Sequence, residues 1–429
     1  MRTVNVGLIG LGTVGSGVAE IFTRHGADFR RRAGVDVTIT RFADRDSARA
    51  EALGIPADRF TTDAADIIAD PEIDVVIELI GGTGVARDVV LDALRAGKSV
   101  VTANKALMAS HGQEVMETAE QHGVDIMFEA SVGGGIPIIG PLKHSLVSNE
   151  VQSVLGIVNG TTNYMLTRMA EDGLDYDTAL AEAQAKGFAE ADPTADVDGL
   201  DAAAKIAILA SIAFNSRVVF SQVPVEGIRT ITPEDIAYAE EMGYAIKLIA
   251  IARRVNGSID VRVHPTMINA AHPLAKVNGV YNAIYVIGDS VGETMFFGEG
   301  AGSLPAASAV VGDVIEVARH IGSACLGLVG CTCNEELEVR DIGELTTEYY
   351  VRLLVSDEPG VLARVAGIFG DNGVSLASVI QKRTDESGAA EIVWLTHRAA
   401  ERDAQSALAA IRSLDAVQAV GTVIRVEEL

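Results

Sequence analysis

Gly10-Leu11-Gly12-Thr13-Val14-Gly15 follows the apolar run 4–9 and opens a helical pattern through Val18, Ile21 and Phe22. Strand, glycine turn and helix stand in the order a dinucleotide needs. The first glycine permits the tight turn, the second lets the backbone approach a pyrophosphate, and the third allows close helix packing. The helix start adds unpaired N–H donors and a positive dipole end. This points to an α/β domain holding a nicotinamide or flavin cofactor. A lone glycine turn of this type is weak, so the rest of the chain has to name the chemistry.

Outward from the turn, residues 4–9, 35–43, 75–79, 99–102 and 124–129 read as strands with helical patterns between them. Such alternation implies βαβ units and a parallel, doubly wound Rossmann-type sheet, with ligands beyond the strands' carboxyl ends. This nucleotide-binding domain is expected over 1–135, with the segment 305–330 returning to pack on it. Past Gly133-Gly134-Gly135 and Pro137 the rhythm changes, and an α+β substrate-binding, catalytic and dimerisation domain is expected over 136–304. A linker, 331–347, leads to a last domain, 348–429. There strand 349–355, helix 361–371, strands 374–381 and 390–396, helix 402–414 and strand 417–426 give the ferredoxin-like order βαββαβ. Asp357-Glu358-Pro359-Gly360 turns its first strand into its first helix, the proline fixing φ and the glycine allowing close approach. Such a module serves dimerisation or senses a ligand.

Of the 429 residues 48% are hydrophobic, enough to bury the cores of two or three domains. Acidic residues outnumber basic ones 59 to 34, and no basic stripe with interleaved aromatics appears, so no nucleic-acid partner is expected. Neither a signal-peptide core nor an apolar stretch of about 18 residues is found, so no membrane partner and a cytoplasmic location are expected. Cys325, Cys331 and Cys333 make no disulfide framework. Cys331-Thr332-Cys333 lacks the second ligand pair of a zinc site and reads as small residues in a strand and its approach.

Several residues stand where chemistry is done. Asp44 lies 34 residues after Gly10, against about 20 in the fingerprint; the added segment 27–34 accounts for the excess. The aspartate favours the ribose 2′-hydroxyl of NAD, whereas the adjacent Arg45 suits the 2′-phosphate of NADP, so the preference stays open. The same pair also reads as a solvated turn. Lys105 follows strand 99–102 and falls at the sheet's carboxyl edge, where a lysine in water is the plainer reading. Asp196 reads as a helix N-cap, and Asp198, Asp201 and Lys205 fall at i, i+3 and i+7, on one helix face. From Ala202 to Phe214 only Lys205 and Ser211 are polar, and a helix apolar nearly all round is buried. Burial lowers the lysine's pKa while Asp201 raises it, which lets the amine titrate near its working pH. Phe128-Glu129-Ala130-Ser131-Val132-Gly133-Gly134-Gly135-Ile136-Pro137 surrounds one carboxylate with backbone carbonyls, a donor set that suits a hard cation and equally a glycine-rich domain crossing.

Together these residues resemble the homoserine dehydrogenases, over essentially the whole chain. The resemblance rests on Gly10–Gly15, Thr102-Ala103-Asn104-Lys105, the run Phe128 to Pro137, Asn159-Gly160-Thr161-Thr162-Asn163, Gly187-Phe188-Ala189-Glu190-Ala191-Asp192-Pro193, Asp198-Gly199-Leu200-Asp201 with Lys205, and Gly298-Glu299-Gly300-Ala301-Gly302. It implies reversible reduction of L-aspartate 4-semialdehyde to L-homoserine with NAD or NADP. By that resemblance Lys205 is the general acid/base, and Lys105 is a second functional lysine near the cofactor. Glu190, Asp201 and Asp196 hold the substrate. Gly10, Gly12, Thr13, Val14, Gly15, Asp44, Arg45, Lys105, Gly187 and Gly302 meet the cofactor. Glu129 and the carbonyls of Val132, Gly134 and Ile136 bind a sodium ion. Where the family often shows Thr this chain has Ala306, so no hydroxyl contact comes from there. The last domain is similar to ACT domains through Asp357–Ala363 and Gly373-Val374-Ser375-Leu376, which implies a threonine effector. A monofunctional enzyme, assembled as a homodimer or homotetramer, is expected. Three other readings compete: a different semialdehyde or imine reductase, a thiol-dependent aldehyde dehydrogenase, and a non-catalytic amino-acid sensor. The thiol enzyme is disfavoured because every cysteine falls after residue 320.

Overall fold

A computed structural model describes residues 3–327, 330–384 and 389–428. Residues 328 and 329 of the expected returning segment, and the extreme ends of the expected first and last domains, lie outside the described residues. Two compact units are present, one of Met1–Val154, Ala204–Gln222 and Asn282–Leu337, the other of Leu155–Ala203, Val223–Tyr281 and Glu338–Leu429.

The first unit begins with β1 (Thr3–Ile9), α1 (Thr13–His25), α2 (Phe29–Ala33), β2 (Asp36–Ala43), α3 (Ser47–Ala52), β3 (Phe60–Thr61), α4 (Ala64–Ala69), β4 (Val75–Glu78), α5 (Val85–Arg95), β5 (Ser99–Thr102), α6 (Lys105–His122) and β6 (Ile126–Met127). Its strands form a parallel sheet in the order β3-β2-β1-β4-β5-β6. The doubly wound sheet expected from the sequence is therefore present, and its order reverses between β1 and β4, which opens a crevice at their carboxyl ends. Two details differ from the sequence reading. β3 has only two residues, too few to show a period. The strand expected over 124–129 shrinks to β6, because Glu129–Ser131 coils into a 3₁₀ turn whose Ser131 N–H donates to Phe128 O at 3.0 Å.

The chain continues through β7 (Val151–Ile157), α7 (Gly160–Asp172), α8 (Tyr176–Ala185), α9 (Thr194–Val197), α10 (Leu200–Ala213), α11 (Pro233–Glu241), β8 (Tyr244–Val255), β9 (Ser258–Asn269), β10 (Tyr281–Gly288), β11 (Gly292–Glu299) and α12 (Ser303–Ser323). Helix α12 lays Val310, Val311, Val314 and Val317 into the same core as Val4, Val6 and Leu8 of β1. Each such valine contributes about 1.5–3 kcal/mol on burial. In the second unit Asn163 of α7 donates to the carbonyls of Val277, Gly279 and Tyr281 at 3.0–3.1 Å, which seats the loop before β10. The ammonium of Lys247 in β8 donates to Val277 O at 2.7 Å beneath it, and burial lowers this lysine's pKa to about 8.

The chain ends with β12 (Thr346–Ser356), α13 (Val361–Asp371), β13 (Leu376–Thr384), β14 (Ala389–Thr396), β15 (Ala399–Ala400), α14 (Glu401–Arg412) and β16 (Val417–Glu427). Apart from the two-residue β15, this is the βαββαβ order, with antiparallel neighbours β16-β12-β14-β13. Trp394, Phe369 and Val365 fill its own core. β16 also pairs in parallel with β9 through Arg425↔Thr266 to Glu427↔Ile268, so the module shares a sheet with the rest of the second unit. Among the described residues no helix is long and apolar enough to cross a membrane.

A buried ion pair ties β12 to α11. Asp235, fully buried, accepts from Arg352 Nε at 2.6 Å, from Tyr350 Oη at 2.9 Å and from Thr422 Oγ1 at 2.6 Å, while also closing the capping box with Thr232. Removing one partner strands the other charge in a low-dielectric interior. Asp235→Ala is expected to lower stability by about 3–5 kcal/mol, read as a shift of the denaturant midpoint, whereas Leu362→Ala on the exposed face of α13 leaves it near wild type.

Candidate active site

Gly10 follows β1 with φ +100°, and its N–H donates to Ala43 O at 2.8 Å. A Cβ at Gly10 would stand 2.6 Å from Leu79 O, and one at Gly15 would stand 1.9 Å from Gly10 O. Both positions demand glycine for packing alone. At Gly12 a Cβ would meet only Arg49 Nη1, at 3.9 Å, so the missing side chain there leaves open space. Gly12 is the N-cap of α1, without a side-chain cap and with no acid in the first turn. The backbone donors of Thr13, Val14 and Gly15 thus begin a helix facing a cradle, a fit for a pyrophosphate. Gly302, with φ +119°, is the N-cap of α12, and the next residue, Ser303, donates from Oγ to Thr13 O at 2.6 Å. The starts of α1 and α12 therefore adjoin.

Asp44 turns inward toward this loop. Its Oδ2 accepts from Leu11 N at 2.6 Å and its Oδ1 from Asp46 N at 2.9 Å, with Arg49 Nη1 3.4 Å away. Burial pushes its pKa up, but the backbone donors of Asp46 and Leu11 and the Arg49 guanidinium outweigh this and hold it below the usual carboxylate range. The aspartate braces the glycine turn as well as ending β2. Arg45 is exposed beside it. Arg49, which sequence reading passed over, carries no signal there because a single arginine on a short exposed helix matches no cofactor motif.

Lys105 is the first residue of α6 and is exposed at the end of β5. Behind it lies Glu78, fully buried, whose Oε1 accepts from Ile80 N and Gly81 N and whose Oε2 accepts from Thr102 Oγ1 at 2.7 Å. Thr102 Oγ1 takes the N–H of Asn104 at 3.0 Å, and Asn104 caps α6 through Leu107 N at 3.1 Å. One carboxylate thus fixes the ends of β4 and β5 and the start of the helix that carries Lys105. Glu129 holds three backbone donors, Ile138 N at 2.5 Å, Ile139 N at 2.8 Å and Gly140 N at 2.6 Å. The turn at Gly134, φ +54°, packs against Gly300, where a Cβ would stand 2.4 Å from Gly300 O.

In the second unit the carboxylates gather on one amide. Asn159 Nδ2 donates to Asp196 Oδ1 at 2.7 Å and to Asp201 Oδ2 at 3.0 Å, while its Oδ1 caps α7 through Thr162 N at 2.9 Å. Thr161 Oγ1 donates to Phe188 O at 2.6 Å, and Gln184 Nε2 to Glu190 O at 3.0 Å. These bonds hold the loop running from Gly187, φ +75°, to the exposed Glu190. Two expectations are corrected. Asp196 lies inside α9 and does not cap α10. Asp198 ends α9 and pairs with Arg229, so it leaves the face shared by Asp201 and Lys205, because α10 starts only at Leu200. Asp201 and Lys205 are both buried on α10, and Lys205 retains 8% exposure in a helix otherwise walled by alanine, isoleucine and leucine. Asn159 and Thr161 were visible in the sequence only as part of a motif; their reach is set by the N-terminus of α7.

With this geometry in hand, comparison with known proteins is decisive. Residues 10–129 match the family described as homoserine dehydrogenase, NAD binding domain, residues 137–315 match homoserine dehydrogenase, and residues 349–416 match the ACT domain. A homoserine dehydrogenase of Synechocystis is 48% identical over 99% of both chains. The chain belongs to the homoserine dehydrogenase family. The crystal structure of a homoserine dehydrogenase from Thiobacillus denitrificans superposes with a TM-score of 0.94 at 43% identity, over 100% of this chain and 99% of that one. A hyperthermophilic archaeal homoserine dehydrogenase in complex with NADPH is 28% identical, with a TM-score of 0.62 over 74% of this chain and 98% of its own. Homoserine dehydrogenases are oxidoreductases that act on a CH–OH group with NAD(P), and the parallel sheet with its glycine turn is their nucleotide-binding part.

The two kinds of glycine in the turn separate experimentally. Gly12→Ala is expected to keep the wild-type thermal midpoint yet weaken NAD(P)H binding about tenfold or more, in a fluorescence titration, by filling the cradle. Gly15→Ala drives a Cβ into Gly10 O and is expected to lower the midpoint itself.

Proposed function

We propose that this chain interconverts L-homoserine and L-aspartate 4-semialdehyde, with Lys205 as general acid/base and Glu190, Asp196 and Asp201 as the amino-acid holders. The observation that carries the reading is the pair Asp196 and Asp201 on the single amide of Asn159. Two carboxylates fixed side by side in this way suit the ammonium group of an amino-acid substrate, with charge-assisted bonds setting its orientation. A reductase of a substrate lacking the α-amino group has no use for such a cluster, and a sensor has none for the lysines.

When bound, the nicotinamide takes or gives the hydride. The chain's own part is the proton and the orientation. Lys205 removes the proton of the homoserine hydroxyl in one direction and returns it to the aldehyde oxygen in the other. Lys105, at the mouth of the sheet, supports the same oxygen by charge, and Gly187 and Gly302 complete the cofactor's surroundings. Asp44 suits the ribose 2′-hydroxyl of NAD, and the exposed Arg45 and Arg49 suit the 2′-phosphate of NADP, so both cofactors fit. A monovalent cation suits the Glu129 turn: the carboxylate has about four lone-pair sites, of which three receive N–H donors. The carbonyls of Val132, Gly134 and Ile136 supply neutral oxygens, and sodium is the ion we assign. The ACT-type module supports inhibition by an amino acid, threonine being the end product closest in chemistry to homoserine.

A homodimer or homotetramer is supported by β11, the last strand at one edge of its sheet. It alternates burial residue by residue and leaves Met295 and Phe297 in water, Phe297 with 54% exposure. An exposed apolar edge is a pairing surface, and a second copy of the chain is the occupant we assign.

Two measurements test these assignments. Lys205→Ala is expected to abolish L-homoserine-dependent reduction of NAD(P) while retaining wild-type NAD(P)H affinity; normal turnover in this variant overturns the acid/base role. Phe297→Lys is expected to shift the mass seen by light scattering toward the monomer, and an unchanged mass rules out β11 as the interface.

A further inference from the structure

Away from these residues, the first unit holds a small cavity of about 60 Å³ whose apolar wall is Met108, Met116, Phe128, Ile208 and Ile212. Cys331 and Cys333 both open onto it, together with Lys143 and Arg217. The Lys143 ammonium lies 5.2 Å from the centre of the Phe128 ring, and Cys333 Sγ donates to Ser211 O at 3.6 Å. Two thiols one residue apart, two cations and an otherwise greasy wall are more than packing requires. Burial pushes Lys143 below its ordinary range, with Cys331 and Cys333 the first charges opposing that shift. The neighbouring Cys333 side chain lowers the Cys331 thiol to about 6, helped by Arg217 and Lys143, and Cys331 in turn raises Cys333. Cys331 is therefore the readier thiol to ionise, and Cys333, whose proton lies on Ser211 O, the less ready. That asymmetry is what separates an attacking thiol from a resolving one.

We propose that Cys331 and Cys333 form an oxidant-reactive dithiol whose co-substrate is a small hydroperoxide. The Cys331 thiolate attacks one peroxide oxygen; an S–O bond forms as the O–O bond breaks, and the leaving oxygen takes a proton to depart as water or alcohol. The Cys333 thiol then attacks the sulfenic sulfur, the S–S bond forms, the S–O bond breaks, and hydroxide leaves with the Cys333 proton as water. Two thiols lose two electrons and the peroxide gains them. A cavity of this size takes a few water-sized molecules, so hydrogen peroxide fits while a glutathione-sized disulfide does not. The walls come from α6 and α10, the helices that carry Lys105 and Lys205, so oxidation bears on turnover; this consequence rests on the function proposed above, whereas the thiol chemistry does not.

The test treats the full-length protein with substoichiometric hydrogen peroxide and maps its peptides by mass spectrometry. Cys325, whose Sγ donates to His320 O at 3.7 Å, serves as the internal reference. The expected result is a Cys331–Cys333 disulfide, reversed by dithiothreitol, forming about tenfold or more faster than any change at Cys325. Cys333→Ser should stop at a sulfenic acid on Cys331 that a 1,3-dione captures, and Lys143→Met should slow the first step. Equal reactivity of all three cysteines, or capture at Cys333 in preference to Cys331, overturns the proposal. Homoserine turnover is followed in parallel: a fall that tracks the disulfide and is absent in Cys331→Ser supports the regulatory consequence, and unchanged turnover at full oxidation removes it while leaving the dithiol intact.

Discussion

The backbone of the glycine turn runs so close to the end of β4 that no side chain fits between them. Gly10 would place a Cβ 2.6 Å from Leu79 O, and Gly15 would place one 1.9 Å from Gly10 O. Everything at the nucleotide end of the molecule follows from that contact. It brings the start of α1 to the switch point between β1 and β4, where the dipole and the open space at Gly12 face outward. Asp44 then reaches back to Leu11 N, and Ser303 reaches across to Thr13 O, so the turn is held from both sides. A preorganised set of donors of this kind binds an anion without ordering cost at the moment of binding.

The acidic cluster at Asn159 uses the opposite device, shared polar atoms in place of excluded side chains. Asn159 gives one oxygen to the helix it caps and two hydrogens to two carboxylates, which sets Asp196 and Asp201 side by side before any ligand arrives.

What the sequence made legible was local. The glycine turn, the βαβ rhythm of the first sheet and the βαββαβ order of the last module all rest on short-range periodicity and on residues with one conformational habit, such as Gly10 and Pro359. Long-range partners were not legible. Glu78 sits in an apolar strand with no hint that Thr102, 24 residues on, would share its carboxylate. Asn159 stands in the sequence only as part of a motif, and nothing in its neighbourhood announces acids 37 and 42 residues away. Asp198 was misjudged because one turn of helix, α9, ends just before α10 starts and breaks the spacing that joins it to Asp201. The cysteine pair looked like two small residues because its meaning lies in Lys143, Arg217 and a cavity that only the fold assembles.

The ACT-type module is held more firmly than its separate core suggests. Arg425 of β16 is buried between Glu226 and Glu401, bonding the first through both terminal nitrogens at 2.8 Å and the second at 2.7–2.8 Å. Tyr349 adds its hydroxyl to Glu401 at 2.8 Å, and Arg262 pairs with Glu427 one strand away. These pairs stand beside the parallel pairing of β16 with β9, so the module cannot move as a loose appendage without exposing charges that cost several kcal/mol each to leave unpaired. An effector that binds the module can act only through a difference in its affinity for two arrangements. Here the two arrangements must both keep Arg425 satisfied. The pivot is then better sought within the module, at the Asp357–Gly360 turn and the exposed face of α13, where Leu362 lies in water, than at the seam of β16 and β9.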